Sequence, residues 1–114
     1  MNQTTEMQAR SLLILGLMGG RALDVDLLYA CIEQMPRLAK RGYVFTVTHG
    51  QHKAFFLTEL GWRYCLRNSK PAKSPTYQLL RKLHKKCNNE QIDFSSGTVE
   101  CRGGKFKIIG KTQM

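Results

Sequence analysis

The chain of 114 residues predicts an α+β protein, and three stretches carry that reading. Leu12–Met18 is an unbroken run of apolar residues and glycine that stops at Gly19-Gly20, as a buried helix with a glycine cap does. Tyr43–Leu57 contains two β-branched and aromatic runs parted by a polar break, the pattern of a β-hairpin. Residues 98–109, TVECRGGKFKII, repeat that plan on a smaller scale around Arg102-Gly103-Gly104-Lys105.

In chain order, Thr4 or Thr5 caps a first helix that ends at Gly19-Gly20. A helix greasy on all sides needs cover on more than one side, either from the later chain or from a second subunit. Arg21-Ala22-Leu23 is a short connector. Asp24 caps a second helix from Val25 to about Glu33, with Leu27, Leu28, Cys31 and Ile32 as its apolar face. Asp24 and Asp26 are expected to serve the helix start rather than acid–base chemistry, because no second acidic cluster accompanies them. Pro36 suits a new first turn, so a third helix is expected over Met35–Arg41, with Leu38 inward and Arg37, Lys40 and Arg41 outward. Little chain separates Asp24 from Gly42. Either the third helix is about two turns long, or the second and third are partly merged with a kink at Pro36.

The hairpin alternates, with Val44 and Thr46 opposing Tyr43, Phe45 and Val47. Its tip, Thr48-His49-Gly50-Gln51-His52-Lys53, is polar and partly cationic. Thr58 to about Asn68 reads as a further helix. There Leu57, Leu60 and Tyr64 form one face for the core. Trp62, Cys65 and Leu66 form another that needs cover from the tail or a partner. Ser69–Pro75, with two prolines, is a linker. Ser74 then caps a helix from Pro75 to Cys87, with Tyr77, Leu79, Leu80 and Leu83 as a stripe and Arg81, Lys82, Lys85 and Lys86 as a basic flank. Asn88-Asn89 stops it. An isolated hairpin over 98–109 is not stable by itself, so it must pack on the domain or across a dimer.

Leu38, Gly42, Tyr43 and Val44, followed by Leu57, Thr58, Glu59 and Gly61, make a pattern that resembles the winged helix-turn-helix domain of small MarR-like and PadR-like DNA-binding regulators. The resemblance covers roughly residues 35–66, and more loosely 5–66. It implies a winged helix-turn-helix over residues 1–68; the residue patterns above give the remainder as a linker over 69–75 and a C-terminal extension over 76–114 made of a basic helix plus a β-hairpin, an ending for which the resemblance supplies no role. It also implies that Arg37, Lys40 and Arg41 meet the major groove or its phosphates. The tip residues His49, Gln51, His52 and Lys53 would reach along the backbone or into the minor groove. Many such regulators dimerise partly through the first helix, which makes Leu13, Leu17, Trp62 and Leu66 candidate interface residues.

The charge agrees with an anionic partner. Formal net charge is +10, with a sequence pI near 9.8, which favours nucleic acid first and an anionic membrane second. Residues 1–67 hold eight Lys and Arg against five acids, an excess of +3, whereas residues 68–114 hold ten against three, an excess of +7. The basic flank Arg81, Lys82, Lys85 and Lys86 is therefore expected to add phosphate contacts rather than to be a merely solvated face. Cys31, Cys65, Cys87 and Cys101 are widely spaced, without a C-x-x-C pair, and no secretory leader is visible. Reduced thiols in a cytoplasm, near the nucleoid, are expected. The Leu12–Met18 run is too short to cross a bilayer.

No catalytic arrangement emerges. Gly16–Gly20 lacks the lysine of a phosphate loop, and no Ser, His and acid fall into a nucleophile pattern. His49 and His52 on a turn without acids or thiols nearby read as turn residues rather than metal ligands. Arg63 and Arg67 flank Cys65, yet a small buried thiol is the preferred reading. The expectation is a non-enzymatic, sequence-specific duplex DNA-binding regulator, a homodimeric repressor or accessory factor without a cofactor. Its size and ending suit, by analogy, a phage, plasmid or other mobile-element protein. Two other readings stay open: a winged-helix module that binds a host protein, and non-specific nucleic-acid binding.

Overall fold

A capping box opens the first helix. Thr5 accepts the Gln8 N–H at 3.1 Å, and the Gln8 side chain accepts the Thr5 N–H at 3.4 Å, which satisfies two otherwise orphaned donors. The computed structural model describes residues 5–49, 51–69, 73–87, 89–94, 97–102 and 105–109; Thr4, Gly50, the linker residues 70–72 and the Gly103-Gly104 turn lie outside them. Among these residues four helices and two three-stranded antiparallel sheets form an α+β fold.

Helix α1 spans Glu6–Leu17. Both following glycines are left-handed, Gly19 at φ +94° and Gly20 at φ +85°. Gly20 N–H returns to the Leu15 carbonyl at 2.9 Å, the six-to-one bond of a glycine C-cap. Arg21–Leu23 is a strand, β1, rather than a connector. It pairs antiparallel with β3 (His52–Leu57), which also pairs with β2 (Val44–His49), so β3 is central.

Of the two arrangements expected for the second and third helices, the merged one is the nearer, although the helix starts later than Val25. Asp24–Asp26 forms a single 3-10 turn, and one helix, α2, runs from Tyr29 to Lys40 with Pro36 inside it. Asp24 caps no helix. The pairing of β1 with β3 carries it to the hairpin, where its Oδ2 accepts the Lys53 N–H at 3.2 Å. An interior proline costs about 3 kcal/mol. Cys31, Met35 and Leu38, spaced four and three residues apart on both sides of Pro36, are all buried, and this continuous stripe offsets that cost.

The end of α2, the start of β2 and the start of α3 (Glu59–Asn68) meet in one junction. Gly42 is left-handed at φ +84°, and Tyr43 N–H donates to the Leu38 carbonyl at 2.9 Å. Thr58 caps α3 by accepting the Gly61 N–H at 3.1 Å, while its hydroxyl donates to the Gly42 carbonyl at 2.5 Å. Its own N–H donates to the Tyr43 carbonyl at 3.1 Å. Gly61 lies so close beneath Tyr43 that a Cβ would overlap the carbonyl oxygen. The Gly42-Tyr43 and Leu57-Thr58-x-x-Gly61 signatures are thus the two halves of one contact.

Helix α3 buries the face expected to need cover from the tail or a partner. Trp62 and Cys65 are in the core, whereas Leu60 is 48% exposed and Tyr64 is half-buried against the Tyr43 ring at 5.4 Å. The reason is α4 (Pro75–Cys87), capped by Ser74, which packs on α1 and α3. Its Leu80 is fully buried and lies over Gly16 of α1. The His84 ring covers Trp62 at 5.2 Å while its Nε2 meets Glu59 Oε1 at 2.9 Å.

The ending is a meander rather than a lone hairpin: β4 (Asn89–Phe94), β5 (Gly97–Arg102) and β6 (Lys105–Ile109), with β5 in the middle. The expected pairing holds, with Val99 opposite Ile108 and Cys101 opposite Phe106. Val99 is fully buried and joins the same core as Leu12, Trp62, Leu80 and Cys87.

Candidate nucleic-acid interface

The burial of Cys31, Met35 and Leu38 fixes which side of α2 faces out. Tyr29, Glu33, Arg37 and Lys40 follow at helical spacing, and all four are exposed. Charge changes sign along that stripe, from Glu33 to Arg37 and Lys40. Neither cation forms an ion pair among the described residues. Arg41 differs. It is half-buried, its Nη1 donates to Gln8 Oε1 at 3.2 Å, and its guanidinium lies 5.5 Å from the centre of the Tyr43 ring. Arg41 therefore ties α2 to α1, a positioning role rather than an outward one.

The hairpin register places the second cluster. Val44 opposite Leu57 marks the base at the α3 junction, and His49 opposite His52 marks the tip. Five residue steps of strand separate them, about 17 Å. Gln51, His52 and Lys53 are exposed at the tip, and the His49 side chain lies outside the described residues. Asp24 fastens this end, with His52 Nδ1 3.6 Å from its Oδ1. Arg37 and Lys40 belong to the base end of the hairpin and the tip residues to the opposite end. Next to Asp24 stand Val25, Leu28 and Tyr29, which are 68%, 74% and 74% exposed.

Arg81, Lys82, Lys85 and Lys86 are exposed on α4. That helix packs on α1 and α3, while α2 packs on α1 and β2. The two cation groups stand on elements whose shared neighbour is α1. Among the described nucleic-acid candidates, Arg41 is the one drawn inward.

Of the proposed interface residues, Trp62 is fully buried by α4 and Gly20, a correction that follows from the tail covering it. Leu13 and Leu66 are half-buried, and Leu17 is 41% exposed. Leu17 shares its exposure with Met7, Ile14 and Met18 along α1. Cys65 is buried, its Sγ donates to the Leu12 carbonyl at 3.3 Å, and burial pushes its thiol up to about 12. Burial thus outweighs the neighbouring Arg63 and Arg67.

Among the described residues no group of three or more His, Cys, Asp or Glu is placed to hold a metal ion, and no helix is long and apolar enough to cross a membrane. No protein-family model, no curated protein and no solved structure matches the chain.

Proposed function

We propose that the chain is a non-catalytic, winged-helix DNA-binding protein that acts as a small transcriptional regulator on duplex DNA. The observation that carries this reading is the element order α1, β1, 3-10 turn, α2, β2, β3, α3 with β3 central in the sheet. Within it, an outward helix bearing Arg37 and Lys40 leads directly into a two-stranded wing. In this arrangement α2 is the recognition helix, three turns long, and the 3-10 turn occupies the place of the helix before it. Arg37 and Lys40 contact phosphates or base edges, Gln51, His52 and Lys53 follow the backbone, and the α4 cations extend the contact along the duplex. Glu33 restricts phosphate contact to the C-terminal half of α2.

The test is fluorescence anisotropy with a random duplex and with the DNA upstream of the chain's own coding sequence, across a salt series. Tighter binding to the upstream DNA, with a steep salt dependence on both, fits a specific regulator. Equal binding to both fits a non-specific role, and no binding at low salt removes DNA from the account.

One observation favours a second reading, a protein-interaction module. Val25, Leu28 and Tyr29 expose three large apolar side chains within a short stretch of chain that also holds the exposed Asp26. Exposed aromatic and aliphatic side chains in a stretch that also carries an acid suit a protein partner better than a phosphate backbone.

A further inference from the structure

The hydrogen bonds of β3 show which backbone groups of β2 are left without a strand to pair with. Leu57 N–H donates to the Gly20 carbonyl at 2.8 Å and Lys53 N–H to Asp24 at 3.2 Å, so both point to the β1 side of β3. Neighbouring residues of an antiparallel strand alternate in the direction of their N–H and C=O groups. Phe56, Ala54 and His52 therefore face β2, and their register partners Phe45, Val47 and His49 face back. Val44, Thr46 and Thr48 turn their N–H and C=O the other way, to the outer edge of β2, which ends its sheet. Among the described residues nothing bonds to these groups. Thr46 is half-buried and Thr48 is exposed.

Sheet edges are usually blunted by charge, proline or shortness, because an open ladder templates another strand. The other edges of this molecule follow that rule. Strand β1 has only three residues, β4 carries Glu90 and Asp93, and β6 carries Lys105 and Lys107. By contrast, Val44–Thr48 holds no charged residue and no proline in a chain of net charge +10. Every residue in it is β-branched or aromatic, the types that pair best in strands. The outward set is also symmetric about Thr46. An antiparallel copy centred there puts Thr46 opposite Thr46, Val44 opposite Thr48 and Phe45 opposite Val47. Thr–Thr and aromatic–β-branched pairs are among the favoured cross-strand pairs.

We infer that this edge is a self-association surface, on which β2 of one chain pairs antiparallel with β2 of a second copy and joins two three-stranded sheets into one. Thr46 lies on the two-fold axis and exchanges both backbone bonds with its counterpart, and the Val44–Thr48 rungs add to it on either side. A contact this short gives a reversible dimer rather than an obligate one. The inference stands without DNA binding, and its test needs no DNA.

Sedimentation equilibrium of the full chain from about 1 to 300 μM, at one salt concentration that screens the net charge, reads the association. A monomer–dimer equilibrium is expected. Amide exchange followed by NMR over the same range locates the contact. Val44, Thr46 and Thr48 should exchange more slowly as the dimer fills, while Phe45 and Val47, already bonded to β3, are protected at every concentration. Thr46→Pro removes the outward N–H and no bond of the β2–β3 ladder. Circular dichroism should therefore stay native while the dissociation constant rises at least about tenfold. Thr46→Lys sets two ammonium groups across the two-fold axis, should raise the constant likewise, and decides the matter where the proline variant does not fold. Leu17→Lys, on the exposed stripe of α1, should leave the constant within about twofold. A monomer at every concentration, a dimer whose Val44, Thr46 and Thr48 amides exchange at the monomer's rate, or a dimer broken by Leu17→Lys and not by the Thr46 variants overturns the assignment.

Discussion

Gly61→Ala sets two physical effects against each other, and the sign of the result decides between them. In an exposed helix interior the change from glycine to alanine stabilises by about 1 kcal/mol through backbone entropy. At this site the new methyl group would overlap the Tyr43 carbonyl oxygen and stand 2.8 Å from Leu57 Cδ2. The first obstacle is backbone and cannot rotate away. Helix α3 must therefore shift from the start of β2, which adds strain of about 1–3 kcal/mol. The shift also weakens the Thr58 N–H to Tyr43 carbonyl bond, now 3.1 Å, a loss of about 1 kcal/mol. The balance is a net destabilisation of about 1–3 kcal/mol, or a fall in melting temperature on the order of 5–15 °C for a domain of this size. Thermal and urea melts followed by circular dichroism measure it directly. A melting temperature that rises would mean that the α2–β2–α3 junction tolerates an extra methyl group and that the close approach is not a constraint on this fold.

Leu80→Ala should cost about 2–5 kcal/mol, the range for a fully buried leucine. A loss below about 1 kcal/mol would show by the same urea melts that α4 is not part of the core. Because the native Cys65 thiol is held up to about 12 against a reference of 9.0, the unfolded chain loses this proton first as pH rises. Stability should fall by about 1.4 kcal/mol per pH unit across that window and be unaffected by this group below it. Thiol-reagent kinetics at pH 8 should show Cys65 reacting only through unfolding, and fast reaction in the native state would refute its burial. Under the DNA reading, Arg37→Ala and Lys40→Ala should each reduce the salt slope of binding by about one without a change in melting temperature. Arg41→Ala should lower the melting temperature as well, since it unties Gln8 and Tyr43. A pattern in which Arg41 affects only binding would return it to the outward face.

Sequence signals were strongest where a local bond determines the structure. The Thr5 cap, the glycines after α1 and the two runs and polar break of the first hairpin are all read from residues within a few positions of one another. Strand β1 was not legible, because Arg21–Leu23 has no strand pattern of its own and exists through pairing with Ala54–Phe56. Asp24 gave a misleading cap signal for the same reason, since its true partner, Lys53, is distant in the chain. Pro36 was read either as a helix start or as a kink within merged helices, and the buried stripe of Cys31, Met35 and Leu38 carries one helix through it. Strand β4 was missed because Asn89–Phe94 shows only two apolar residues among polar ones. In the candidate interface the exposure of Arg37 and Lys40 follows from periodicity. The inward turn of Arg41 depends on Gln8, and the burial of Trp62 depends on a helix that arrives later in the chain.

The central position of β3 sets up a gradient of local opening along a single strand. Ala54, Phe55 and Phe56 are hydrogen-bonded between β1 and β2 and are buried, and Leu57 N–H continues the ladder to the Gly20 carbonyl at 2.8 Å. His52 and Lys53 face only β2 in the sheet and are exposed. Amide protons at the base of the strand should therefore exchange only when the whole molecule unfolds, and those at the tip through small local fluctuations. The hairpin tip can reshape itself within a few residues, while the same strand, four or five positions on, remains part of the most persistent unit of the protein.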